Sequence, residues 1–196
     1  YKRISLVPER KNDLETIDIR YSYAMAFLRF DIRKVVFIDE TVVSMMMRKK
    51  YGRSPIGNLA YKTVRQIRSK NYSVCAALSI NGIEKTEITE GAYDGTGFNG
   101  FIFSLIEQYA STNNNGVVFI MDNCRIHKVP EVIETMQSHG TTYLFLPPYS
   151  PFLNPIEEAF SKCKNSIRED NCRTEEDLTE STQVAFRLIT PDDAAG

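Results

Sequence analysis

Three acidic residues, Asp39, Asp122 and Glu157, stand where the sequence changes from one element to the next. Asp39 ends the apolar run Val35-Val36-Phe37-Ile38, and Asp122 ends Val117 to Met121. Both runs are short and rich in β-branched residues, as expected of strands buried on both faces. The ends of such strands are where α/β sheets usually build their sites. Glu157 opens a predicted helix, with Asn154 as a good N-cap, Pro155 suited to the first helical position, and Ile156, Phe160, Cys163 and Ile167 recurring at helical spacing. At about 100° per residue, Glu157 lies roughly a quarter turn from the centre of that apolar stripe and Glu158 nearly opposite it. Glu157 can therefore face a site at the edge of the core, while Glu158 faces solvent. Lys164 and Arg168 share the face of Glu157, so a polyanion reaching that carboxylate would also meet basic groups.

Carboxylate oxygens are hard ligands, and three of them can hold a pair of Mg²⁺ or Mn²⁺ ions with positions left open for water and phosphate. Two such ions about 3.5 to 4 Å apart stabilise the attacking and leaving oxygens of an in-line displacement at phosphorus. No nucleophilic side chain is then required. Taken singly, each acid also has a plain structural role: an Asp after a strand is often a turn-former, and Glu157 could close a capping box on Asn154. His139 lies at a helix end, where capping is the simplest account. His127, five residues after Asp122, is placed to orient a neighbouring group. Cys124 and His127 have a C-x-x-H spacing, but without a second pair at zinc-ligand spacing no zinc site is expected.

The elements that must position these residues follow from the chain in order. With 196 residues, 42% of them hydrophobic, the chain can bury one sizeable core. The start at Tyr1 in polar sequence suggests a fragment or processed product. Residues 1 to 33 read as a linker and an amphipathic helix, capped by Asn12 with Glu15 and carrying Leu14, Ile17, Tyr21, Met25 and Leu28 on one side. After the first strand, no acid occurs from Thr41 to Ile83, while Arg48, Lys49, Lys50, Arg53, Lys62, Arg65, Arg68 and Lys70 interleave with Tyr51, Tyr61 and Tyr72. A net charge of −1 gives no overall attraction to nucleic acid, so this basic insertion, about 41 to 71, is the candidate phosphate-contacting surface. The other reading is a solvated loop balanced by acids elsewhere in the fold.

Residues 72 to 80 alternate as a strand, and Asn81-Gly82 turns into a second strand, 83 to 89. A helix around Phe98 to Tyr109 precedes the strand ending at Asp122. A further helix runs from Pro130 to Gly140, a strand from Thr141 to Leu146, then the helix of Glu157, then a helix from Thr174 with Asp177 in capping-box register, and a flexible tail from residue 191. Three antiparallel strands followed by alternating helices and strands describe an α/β protein with a mixed five-stranded sheet flanked by helices, the order of the ribonuclease H-like fold. The four cysteines include no C-x-x-C pair, as expected of reduced thiols in an intracellular compartment. No apolar run approaches the ~20 residues that span a bilayer, so neither membrane insertion nor secretion is expected.

The blocks VVFIDE at 35 to 40, MDNCRIHK at 121 to 128 and LPPYSPFLNPIEEAFSKCK at 146 to 164 resemble the signatures of the mariner superfamily of DDE transposases and its bacterial insertion-sequence relatives. The 34 residues from 123 to 156 match the spacing of one branch of that superfamily. The likeness covers about residues 34 to 168. It implies a catalytic domain, here residues 34 to 190, in which Asp39, Asp122 and Glu157 hold two Mg²⁺ or Mn²⁺ ions, with Asn123, His127 and Asn154 as supporting groups. It implies cleavage of double-stranded DNA at transposon ends and attack of the freed 3′-hydroxyl on target DNA. It further implies a homodimeric assembly, action in the nucleus of a eukaryote or the nucleoid of a bacterium, and a helix-turn-helix region before residue 1. Relatives often carry Trp in the loop after the first Asp and in the last helix, whereas this chain has no Trp and Phe160 stands at the latter position; Phe152 occupies a place where Asp is common. Two alternatives stay open: a domesticated descendant that binds DNA or protein without cutting, and another nuclease of the same fold.

Overall fold

Val35–Val43 forms the first strand, β1, and its alternation divides the molecule. Val35 and Phe37 point into one apolar cluster, Val36 and Ile38 into another, and all four are buried. The computed structural model describes residues 8–48, 52–61, 63, 70–114, 116–170 and 172–195. Beside β1 stand β2 (Tyr72–Ser79) and β3 (Gly82–Glu90) on one edge, and β4 (Val118–Met121) and β5 (Thr142–Phe145) on the other, in the order β3-β2-β1-β4-β5. The β1–β2 and β2–β3 pairs are antiparallel; β1–β4 and β4–β5 are parallel. This is the mixed five-stranded sheet that the element order predicts.

Helices cover both faces because both faces of the central strands are apolar. On one side lie α2 (Gly95–Ser111) and α3 (Pro130–Ser138), which contribute Phe98, Phe101, Ile102, Leu105, Val132 and Met136 to the core. On the other lie α4 (Ile156–Asp170) and α5 (Glu175–Arg187), which contribute Ile156, Phe160, Cys163, Ile167, Leu178 and Phe186. The β2 strand is buried beyond its predicted alternation, with Val74, Ala76 and Leu78 on one face and Cys75 and Ala77 on the other. The β2–β3 turn needs its glycine: Gly82 has φ +105°, and a Cβ there would meet the Ile189 carbonyl oxygen at 2.9 Å.

Three elements differ from expectation. The first helix, α1 (Leu14–Phe27), is capped by Asp13, which accepts the Thr16 N–H at 2.9 Å, and not by Asn12. Its apolar side faces solvent, with Leu14 81% and Leu28 76% exposed; what it buries is Thr16 and Tyr23. Tyr23 stacks on Phe27, and Phe27 meets Phe37 of β1, so the helix is anchored by aromatic contacts across its other side. The α2 helix starts three residues before Phe98, because Asp94 caps it by accepting the Gly97 N–H at 2.7 Å. The segment from residue 191, expected as a flexible tail, forms a short helix, α6 (Pro191–Ala195). Asp193 accepts the Thr190 N–H at 2.8 Å and pairs with Lys162 of α4 at 2.5 Å, which ties α6 to the core. The Thr174–Asp177 capping box of α5 is as predicted.

Phe160 is fully buried and packs against Phe186 of α5, with ring centroids 5.9 Å apart, so it joins α4 and α5. Phe160→Ala is expected to cost ~3–5 kcal/mol in urea unfolding followed by circular dichroism. A loss below ~1 kcal/mol would show that this contact does not hold the two helices together.

Candidate active site

Strand register brings the first two acids together. Ile38 of β1 pairs with Met121 of β4 in parallel, so the next residue on each strand is an aspartate, Asp39 and Asp122. Adjacent strands lie about 4.8 Å apart. Asp39 continues the β1 face of Val35 and Phe37, toward α4, and is 9% exposed. Its Oδ1 accepts the Glu40 N–H at 2.8 Å and its Oδ2 accepts the Asn154 side-chain amide at 2.7 Å.

That last bond takes the place of the side-chain cap expected of Asn154 and puts its amide beside Asp39 as a supporting group. Its side chain reaches Asp39 and leaves capping to its backbone carbonyl, which accepts the Glu157 N–H at 3.1 Å. The Asn154 N–H donates to Pro151, so the capping box that Glu157 could have closed is not formed. Asn154 Oδ1 is buried and has no hydrogen-bond partner, an acceptor held beside Asp39. Glu157 is exposed on the first turn of α4, and of the two neighbouring glutamates it, not Glu158, lines the cleft. The cleft, about 370 Å³, is bounded by Asp39, Asp122, Asn123, Asn154, Glu157 and the loop Pro147–Pro151.

Behind the aspartates, His127 is fully buried between two carboxylates, with Nδ1 2.8 Å from Asp122 Oδ1 and Nε2 2.9 Å from Glu40 Oε1. Glu40 was not legible as a site residue from spacing alone; strand alternation is the signal, since it sends Glu40 to the face opposite Asp39. Asn123 donates to the Leu146 carbonyl and accepts from Lys128, joining the ends of β4 and β5 beside the cleft. Lys128 also lies over the Phe145 ring, 4.7 Å from its centroid.

The electrostatics of the two aspartates differ. Burial, then the charges of Asp122, Glu40 and Glu157, push the Asp39 carboxyl up to about 7, against the bond from Glu40 N–H. Burial acts the same way on Asp122, but His127, the Cys124 N–H and Lys128 outweigh it and hold Asp122 below the ordinary carboxylate range. Burial opposes the charge on His127, yet Asp122 and Glu40 together raise its pKa to about 10. Glu157, exposed on α4, acts on Asp39 through its charge alone. Among the described residues no three His, Cys, Asp or Glu side chains are gathered closely enough to hold an ion as they stand. Asp39 and Asp122 are held by hydrogen bonds from the protein, and Glu157 stands exposed on the cleft rim. A buried carboxylate of raised pKa beside a second, ionised one, an orphaned amide oxygen and an open acidic cleft are a donor set that fits hard divalent cations.

The model of the DDE superfamily endonucleases matches residues 34–179. The chain belongs to the DDE superfamily of endonucleases. No curated protein sequence matches it significantly. This DDE domain superposes on the Mos1 transposase paired-end complex with left transposon end at TM-score 0.80 and 19% identity, over 99% of this chain and 61% of that one. It superposes on the mariner Mos1 paired end complex with Mg at TM-score 0.81 and 19% identity, with the same coverages of 99% and 61%. Against the catalytic domain of Mos1 mariner transposase the TM-score is 0.70 at 14% identity, over 97% of this chain and 87% of that one. The DDE chain thus spans about 61% of the length of the Mos1 chains in the DNA complexes, and at these identities the likeness is one of ribonuclease H-like fold.

The basic residues of this DDE domain divide. Lys164 of α4 is half-buried near the cleft: burial lowers its pKa, Glu157 and Asp39 raise it, and Arg168 lowers it further. Arg168 accompanies it and bonds Asn165 at 2.7 Å. Arg53 is exposed, Lys70 pairs with Glu90 at 2.9 Å, and Arg48 donates to the Met45 and Met47 carbonyls. Lys49, Lys50, Lys62, Arg65 and Arg68 lie outside the described residues. Cys75, Cys163 and Cys172 are buried free thiols and Cys124 is an exposed one. Among the described residues no helix is long and apolar enough to cross a membrane.

The raised pKa of Asp39 has a sign that can be measured. Below pH ~4 it is protonated in both folded and unfolded chains. Between pH ~4 and about 7 the unfolded chain releases that proton while the folded one keeps it, so stability falls as pH rises. In chelator-treated protein, the melting temperature of Asp39→Asn relative to the parent is expected to climb across this window. A constant difference from pH 4 to 7.5 would refute the assignment.

Proposed function

We propose that the chain is the catalytic domain of a mariner-type DNA transposase, in which Asp39, Asp122 and Glu157 hold two divalent ions, Mg²⁺ or Mn²⁺. The observation that carries the reading is the emergence of Asp39 and Asp122 side by side from parallel strands, into a cleft whose rim bears Glu157. Membership of the DDE endonucleases and the fold shared with Mos1 transposase support it.

The reaction proposed adds water across a phosphodiester bond at the transposon end, releasing a 3′-hydroxyl and a 5′-phosphate. That 3′-oxygen then attacks a target phosphorus, the target's own 3′-oxygen leaves and takes up a proton, and the number of phosphodiester bonds is unchanged. Bound ions would supply Lewis-acid stabilisation of charge on the reacting oxygens. The chain's own residues do the holding. Asn154 and the Glu40 N–H orient Asp39, the Cys124 N–H orients Asp122, and α4 carries Glu157 to the cleft. Lys164 and Arg168 supply positive charge on the same helix, and with Arg53 and the basic insertion they form the proposed phosphate-binding surface. The working assembly is proposed to be a homodimer on double-stranded DNA, acting where the genome is, in nucleus or nucleoid.

The test is a labelled duplex carrying candidate transposon ends, incubated with the intact protein and Mg²⁺ or Mn²⁺, with cleaved and strand-transfer products resolved on a gel. Losing a support to a metal ligand commonly costs 10–100-fold, so losing a ligand in Asp122→Asn or Glu157→Gln is expected to reduce both products by at least ~100-fold. Activity that persists in either variant would sink the assigned triad, and cleavage without strand transfer would favour a nuclease of the same fold.

A further inference from the structure

The His127 ring occupies a position that filling the core does not explain. It is fully buried, yet it sits between two acids, with Nδ1 2.8 Å from Asp122 Oδ1 and Nε2 2.9 and 3.0 Å from the two oxygens of Glu40. Phe98 lies against the ring at 4.3 Å between centroids, tilted by 30°, which fixes the imidazole plane. The Cys75 thiol donates to Glu40 Oε1 at 3.8 Å, which holds the far carboxylate in turn. A carboxylate and an aromatic face are therefore both committed to one ring orientation.

The consequence falls on Asp122. Its Oδ1 lies 2.8 Å from His127 Nδ1 and accepts the Cys124 N–H at 2.8 Å, and the same ring nitrogen lies 3.3 Å from the Asp122 backbone carbonyl oxygen. Among the described residues no hydrogen bond is made to Oδ2, so one oxygen is fully engaged by the protein and the other is left for the cleft. Glu40 follows Asp39 in β1, and alternation sends the two side chains to opposite faces of the sheet. The dipeptide thus serves both sides: Asp39 enters the cleft, and Glu40 passes behind the sheet to hold the ring that holds Asp122.

We propose that His127, anchored by Glu40, is the positioning residue of Asp122, selecting Oδ1 for the protein and presenting Oδ2 to the bound cation. The inference rests on the reading of Asp39, Asp122 and Glu157 as the ion-holding set. A histidine that merely filled the core would leave cation binding unchanged when replaced by a residue that keeps the fold.

The experiment is calorimetric titration of Mn²⁺ into the parent, His127→Gln, Glu40→Gln and the double variant, with the melting temperature of each metal-free protein recorded alongside. His127→Gln is expected to weaken Mn²⁺ binding by ~10–100-fold, the range for groups that support metal ligands. Glu40→Gln is expected to weaken it less, because the ring can still donate through Nδ1. Glu40→Gln should add nothing in the His127→Gln background, since Glu40 acts through the ring. Parent-like Mn²⁺ affinity in a folded His127→Gln protein overturns the proposal, and so do losses that add in the double variant. If His127→Gln does not fold, Glu40→Gln carries the test, and parent-like affinity there is the overturning result. If the parent itself takes up no Mn²⁺, the ion-holding reading fails, and the positioning role is then judged from metal-free crystal structures. An Asp122 carboxylate turned from the cleft in His127→Gln, or in Glu40→Gln should the former not fold, supports the role; an unmoved one overturns it.

Discussion

Like charge at the ends of two neighbouring parallel strands is the constraint on which the rest of this structure depends. The β1 and β4 strands are apolar on both faces, so they must lie in the middle of the sheet, and their register leaves Asp39 and Asp122 one strand spacing apart. Two carboxylates about 5 Å apart at an effective dielectric of about 20 repel by ~3 kcal/mol. The fold relieves this unequally. Asp122 receives a backbone N–H, a buried histidine and a nearby lysine; Asp39 receives an amide and a backbone N–H. The outcome is one acid held ionised and one balanced near neutrality, the divergence expected where a site separates the roles of similar groups. A divalent cation would favour the charged form of Asp39 more than any neighbour here does.

How much of this the sequence discloses depends on whether a signal is local. The strands were legible because a buried strand must be apolar throughout, and the acids because a charge cannot continue such a run. The wheel of α4 separated Glu157 from Glu158 correctly, since Ile156, Phe160, Cys163 and Ile167 are all buried and Glu157 lines the cleft. The same reasoning misled for α1. A stripe of Leu14, Ile17, Tyr21, Met25 and Leu28 shows that a helix has an apolar side, but not that anything covers it, and in this chain that side faces solvent. Asn154 shows a different limit. Asn before a helix is a cap by every local rule, but the Asp39 carboxylate, distant in sequence, offers its amide a charged acceptor, and a charge-assisted bond is roughly twice as strong as a neutral one. Glu40 was hidden for the same reason, because its partner His127 comes from beyond the next parallel strand.

Charge is arranged on a scale smaller than the chain. With a net charge of −1, attraction to a polyanion must come from particular surfaces. The α4 helix shows how one element can serve both signs. Its first turn carries Glu157, where the helix dipole favours an anion, and about two and three turns later come Lys164 and Arg168. A cation and a phosphate brought to the same cleft would therefore each find a complement along a single rigid helix. Lys70 and Arg48, by contrast, are already engaged by Glu90 and by backbone carbonyls, so membership of a basic run does not by itself make a residue available.

Two phenylalanines fit the same physical account. Phe160 fills its place in the core by packing on Phe186 across the helix pair. Phe152 does more than pack. It is exposed, and Lys11 and Arg20 lie 5.7 and 5.5 Å from its ring centroid, while Arg20 Nε donates to Ser150 at 2.8 Å. A cation over an exposed aromatic face contributes ~0.5–1 kcal/mol, comparable to a surface ion pair, so the ring can retain the basic side chains that a carboxylate would have attracted. It does so without placing another negative charge beside the cleft loop. In a site already crowded with carboxylates, an aromatic ring at this place keeps α1 attached to that loop without adding to the repulsion that Asp39 bears.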